Sequence, residues 1–126
     1  MNHTDQHYVP LFLQVKRYIE DMIVSRSLDE GEPVPSSTQI VKFFQVNHVT
    51  VLKGMNLLAE EGIIYKKRGV GMFVSEHARD ILLEKRRRRL ASDYLQPLLQ
   101  EARTLGISVE EIHGLIEGIH QEEGNS

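Results

Sequence analysis

Beyond Pro10 the apolar residues Leu11, Val15, Ile19, Met22 and Ile23 recur every three or four positions, while Lys16, Arg17, Glu20 and Asp21 fall opposite them. This spacing predicts an amphipathic helix over about residues 10 to 26. The turn-rich stretch Asp29-Glu30-Gly31-Glu32-Pro33 ends it, and Pro35-Ser36 offers a serine N-cap to a short helix carrying Ile40, Phe43 and Phe44. Only Gln45-Val46-Asn47 separates that helix from a third, which runs to about Glu61 with Val51, Met55 and Leu58 turned inward. Gly62, free to take positive φ, stops it. Two short strands follow, Ile63 to Lys67 and Met72 to Val74, joined by the turn Arg68-Gly69-Val70-Gly71. Three helices and a hairpin in this order predict a winged helix-turn-helix.

Helical spacing returns in the last third. Leu83, Arg87, Leu90, Tyr94, Leu98, Ala102 and Leu105 form one stripe, with Arg86, Arg88 and Arg89 around it, and Pro97 is expected to kink or interrupt the helix. A final helix opens on Ser108, with Glu111 three residues on as a capping box, and turns Val109, Ile112, Leu115, Ile116 and Ile119 inward. The resulting fold class is mainly α with a small β-hairpin. Residues 1–9 read as an extension, 10–75 as the winged domain, 76–121 as a helical dimerisation segment and 122–126 as a flexible tail. Two helices cannot bury both sides of Leu83, Leu90, Tyr94, Leu98, Ile112, Leu115, Ile116 and Ile119 by themselves, so a second copy of the chain is the natural cover.

Composition narrows the function. At 126 residues, 40% hydrophobic and 26% charged, the chain is sized for one compact domain with an appendage and has a globular balance. The absence of cysteine rules out disulfides, thiolate metal sites and a catalytic thiol. The first ten residues show no basic segment followed by an apolar core, and no stretch approaches the roughly 18 apolar residues of a membrane span. A cytoplasmic protein without a membrane partner is expected. The net charge is -3, yet residues 33 to 59 hold Lys42 and Lys53 and no acid, while Glu110, Glu111, Glu117, Glu122 and Glu123 gather at the other end. One face can therefore meet phosphates.

The candidate DNA face combines three elements. A helix-turn-helix projects the start of its second helix into the major groove. With Val51, Met55 and Leu58 inward, Val49, Lys53 and Asn56 turn outward, and Asn47, His48 and Thr50 sit at the exposed start. These residues offer hydrogen bonds to base edges or phosphates, a cationic phosphate contact from Lys53, and an apolar surface at Val49 for a thymine methyl. Ser36, Ser37 and Thr38 begin the preceding helix, whose free amides and positive dipole end suit a backbone phosphate. Lys66, Lys67 and Arg68 lead into Gly69 at the hairpin tip, where backbone can approach a phosphate or enter the minor groove.

Other constellations are weaker. Arg86 to Arg89 are four successive helical residues that point to all sides, and they read first as a solvated helix. His113, Glu117 and His120 share one helix face but read as plain surface, so no metal or cofactor is expected. There is no nucleophile beside a base, no phosphate-binding glycine loop and no framed carboxylate pair, which excludes an enzyme.

Five ordered blocks give a specific resemblance. Pro10-Leu11-Phe12-Leu13-Gln14-Val15, Gly31-Glu32-Pro33-Val34-Pro35-Ser36-Ser37, Val46-Asn47-His48-Val49-Thr50-Val51, Leu58-Ala59-Glu60-Glu61-Gly62-Ile63-Ile64 and Arg68-Gly69-Val70-Gly71-Met72-Phe73-Val74 resemble the GntR family of bacterial regulators. The length after Val74 resembles its short YtrA-like subfamily, in which a helical segment of about fifty residues dimerises. The resemblance implies a repressor that binds a palindromic double-stranded DNA operator as a homodimer. An unidentified small-molecule effector, bound between winged domain and helical arm, is a further candidate partner. Thr38 stands where the family commonly has a DNA-contacting arginine, His48 and Val49 replace commoner residues, Gly54 replaces a usual alanine, and Pro97 is unusual. The alternative to a DNA-binding regulator is a winged protein-interaction module that has lost tight DNA binding.

Overall fold

The computed structural model describes residues 9–124, arranged in two compact units, one ending at Glu84 and one starting at Lys85. In the first, α1 (Leu11–Val24), α2 (Ser37–Phe44) and α3 (His48–Glu60) precede a hairpin of β1 (Ile64–Lys67) and β2 (Gly71–Val74), and the first turns of α4 (Ala78–Arg89) close the core. Val15, Ile19 and Ile23 of α1 meet Ile40 of α2 and Val51, Met55 and Leu58 of α3, all buried. Each of these was legible as an inward position from helical spacing alone.

Beside this apolar packing, two contacts between α1 and the α3 region depart from the simple amphipathic pattern. Lys16 and Glu20, expected on the solvated face, are buried: the Lys16 ammonium lies 2.8 Å from the Glu20 carboxylate and 3.1 Å from that of Glu61, just past the end of α3. Helical spacing places a residue relative to its own axis, whereas the end of a neighbouring helix decides whether that face meets water. The second contact explains Gly54. A Cβ at this position would lie 2.6 Å from the Phe12 carbonyl oxygen and 3.3 Å from the Val15 side chain, so only glycine lets the helices approach this closely.

In the hairpin Ile64 pairs with Val74 and Lys67 with Gly71, and Gly69 takes φ +76° at the turn. The stretch expected to be only a turn also reaches β2. Gly31 N–H donates to Val74 O, Val34 N–H to Met72 O and Val74 N–H to Glu32 O, making residues 31 to 34 a short third lane on its far edge. Pro33, lacking an N–H, is tolerated there because an edge asks less of it. Ala78 and Leu82 lie in the same buried core, so that core extends past residue 75; Leu82 is buried and Leu83 only half-buried.

In the second unit the end of α4 runs into a π-helical turn, Leu90–Leu95, then α5 (Gln96–Leu105) and α6 (Val109–Gly124). Pro97, in the first turn of α5, has no N–H to give the carbonyl four residues back, and the wide turn directly precedes it. The expected interruption is thus a π turn rather than a break. Ser108 caps α6 reciprocally with Glu111. Of the apolar face expected to be inward on α6 only Ile112 is buried; Val109, Leu115, Ile116 and Ile119 are exposed, since helical spacing groups these residues on one face but does not by itself supply a neighbour to cover it.

Candidate nucleic-acid interface

The short helix α2 holds its position through its cap. Ser36 Oγ accepts the Gln39 N–H at 3.2 Å while Gln39 Oε1 accepts the Ser36 N–H at 2.9 Å, a reciprocal pair whose signal in sequence was the glutamine three residues after the serine. Gln45 then takes a left-handed conformation, φ 55°, and turns the chain into α3. Asn47 caps α3 by accepting the Thr50 N–H at 2.8 Å, which commits its side-chain oxygen to the helix and leaves its amide hydrogens outward. The Ser37 hydroxyl and the His48 Nε2 lie 3.4 Å apart and join the two helix starts.

From this base His48, Val49, Lys53 and Asn56 project outward as expected, with Val49 75% exposed; Thr50 is half-buried. Leu52, which the sequence reading left out, is 40% exposed on the same outer surface. It lines a groove with Ser36, Ser37, Met55, Asn56, Lys66 and Phe73, so the start of α2, the middle of α3 and the hairpin face one concavity. Thr38, Lys67, Arg68 and Gly69 are exposed outside that groove, the last three toward the hairpin tip. Val70, 69% exposed beside Gly69, adds an apolar group to the tip.

Two cations of this surface rest on aromatic rings. The Lys53 Nζ lies 4.0 Å from the centroid of Phe12, and the Lys67 Nζ 4.9 Å from that of Phe73, which also stacks with Tyr65. The sequence assigns neither ring a role: a contact between α1 and α3 leaves no periodic trace, and that of Lys67 with Phe73 follows from how the two strands of the hairpin pair. Among the described residues no three His, Asp or Glu side chains converge to hold a metal ion, His113, Glu117 and His120 included. No helix among them is long and apolar enough to cross a membrane.

A helix pair with an outward second helix, followed by a basic hairpin, defines a winged helix-turn-helix. Residues 11–74 match the bacterial regulatory proteins of the gntR family, and the chain belongs to that family. It is 27% identical over 110 residues to the HTH-type transcriptional repressor YtrA of Bacillus subtilis, covering 87% of this chain and 84% of that protein. Over 67 residues it is 36% identical to the arabinose metabolism transcriptional repressor of Geobacillus stearothermophilus, covering 53% of this chain but 18% of that protein. A solved GntR-family regulator from Bacteroides thetaiotaomicron superposes with a TM-score of 0.75 at 27% identity, covering 90% of this chain and 98% of the other. The DNA-binding domain of AraR, solved in complex with operator ORR3, superposes with a TM-score of 0.52 at 27% identity, over 53% and 81% of the two chains. The family and these relatives are transcriptional regulators, not enzymes.

Proposed function

We propose that this chain is a repressor that binds a palindromic operator as a homodimer, each copy reading one half-site, the half-sites about one helical turn apart. The observation that carries the reading is the joint exposure of His48, Val49, Lys53 and Asn56 with Lys66, Lys67, Arg68 and Gly69. His48, Val49, Thr50 and Asn56 contact base edges; Asn47 contributes its amide hydrogens. Ser36, Ser37 and Thr38 meet backbone phosphate at the start of α2, and Lys53, Lys66, Lys67 and Arg68 neutralise phosphates.

The dimer rests on the second unit, where Leu90, Tyr94, Leu115, Ile116 and Ile119 are each at least half exposed and Leu98 is 39% exposed. That much apolar surface on a two-helix unit asks for a second copy. An effector of unidentified chemistry that alters operator affinity belongs to the same reading, supported by the family alone. The test is binding to the DNA upstream of its own gene against a scrambled duplex across a salt series, with mass measured by light scattering. A dimer is expected to prefer the upstream duplex and to lose about a thousand-fold or more in affinity between 50 and 200 mM salt. A monomer, or equal salt-insensitive binding to both duplexes, overturns the reading.

A further inference from the structure

We infer that Phe12 is a positioning residue for DNA binding: the first turn of α1 acts through Lys53, holding its ammonium where a phosphate will lie. The inference rests on the proposed phosphate contact of Lys53 and adds to it an element outside the helix-turn-helix. Three observations on one axis support it. The Lys53 Nζ stands 4.0 Å over the Phe12 ring. The neighbouring residue in α3 is Gly54, whose missing Cβ is what allows the Phe12 carbonyl to approach to within 2.6 Å of where that atom would be. Phe12 is half-buried and Lys53 exposed, so the ring is fixed while one side of the ammonium stays open to solvent.

An exposed lysine ordinarily samples many rotamers, and binding must then order it. A ring face beneath the ammonium attracts it by the quadrupole without taking up its three N–H donors as a carboxylate would. The side chain is thereby ordered before DNA arrives, and the charge remains available to a phosphate. Lys67 over Phe73 repeats the arrangement in the hairpin at 4.9 Å.

The experiment is a double-mutant cycle on the full chain at low salt, using a 30-base-pair duplex of arbitrary sequence because a phosphate contact does not depend on sequence. Phe12→Leu is expected to weaken binding about two- to five-fold, Phe12→Tyr to restore it, and Phe12→Leu on a Lys53→Ala background to cost nothing further. Additive losses, or no loss from Phe12→Leu where Lys53→Ala has one, overturn the positioning role. If Lys53→Ala itself binds like the wild type, the phosphate contact fails and the inference with it. Proton NMR of the unbound protein gives an independent reading should the leucine variant fold poorly. The Lys53 ε-methylene protons are expected upfield from the ring current, and unshifted resonances overturn the contact.

Discussion

Gly54 shows how much one residue can depend on its neighbours. In an isolated helix alanine there would gain about 1 kcal/mol over glycine. Here the added methyl would stand 2.6 Å from a backbone oxygen of α1, and backbone cannot swing aside as a side chain tip does. Gly54→Ala is therefore expected to destabilise the protein by about 1–3 kcal/mol, read as a lowered denaturation midpoint at unchanged slope. Lys16 carries a second residue-scale prediction. Its ammonium is shared by Glu20 and Glu61, and Lys16→Met removes the cation from two carboxylates, one of them buried; about 3 kcal/mol of stability should be lost, measurable by the same titration. Both positions were visible in the sequence only as an oddity and as an ordinary polar residue. What decides each is a helix that lies distant in sequence.

Among the elements, α2 is the one whose existence depends most on local chemistry. Eight residues make too short a helix to persist by propensity, and it buries only Ile40. Its cap and the stacking of Tyr18 on Phe43, at 5.0 Å, supply the rest. Ser36→Ala is expected to cost about 1 kcal/mol and to weaken DNA binding as well, since the same turn faces the groove shared with Lys66; thermal unfolding and duplex titration read the two effects separately. The serine and its helix were legible from the residues. The stacking was not, because Phe43 is 66% exposed and satisfies its ring by a neighbour from α1 rather than by the core.

For the whole molecule the exposed apolar residues of the second unit carry the prediction. Replacing Ile116, 50% exposed, by glutamate places a charge on the proposed contact between copies. The variant is expected to run as a monomer by light scattering, with the winged unit still folded by circular dichroism and operator affinity reduced about a hundred-fold through loss of the linked second half-site. Lys53→Ala acts differently at this scale. It should lower the magnitude of the salt slope by about one for each half-site bound while leaving the preference for operator over scrambled DNA nearly intact.

Legible in the residues alone were the helix order, the hairpin, the inward set Val15, Ile19, Ile40, Val51, Met55 and Leu58, the caps at Ser36 and Ser108, and the outward set on α3. Periodicity and capping are properties of a chain a few residues long, so they can be read along it. Tertiary structure alone decided the rest: the burial of Lys16 and Glu20, the need for Gly54, the third lane that residues 31 to 34 add to β2, and the rings beneath Lys53 and Lys67. All but the last, in which Lys67 and Phe73 meet across the hairpin, join residues far apart in the chain, and such a pairing exists only once packing has chosen which surfaces meet.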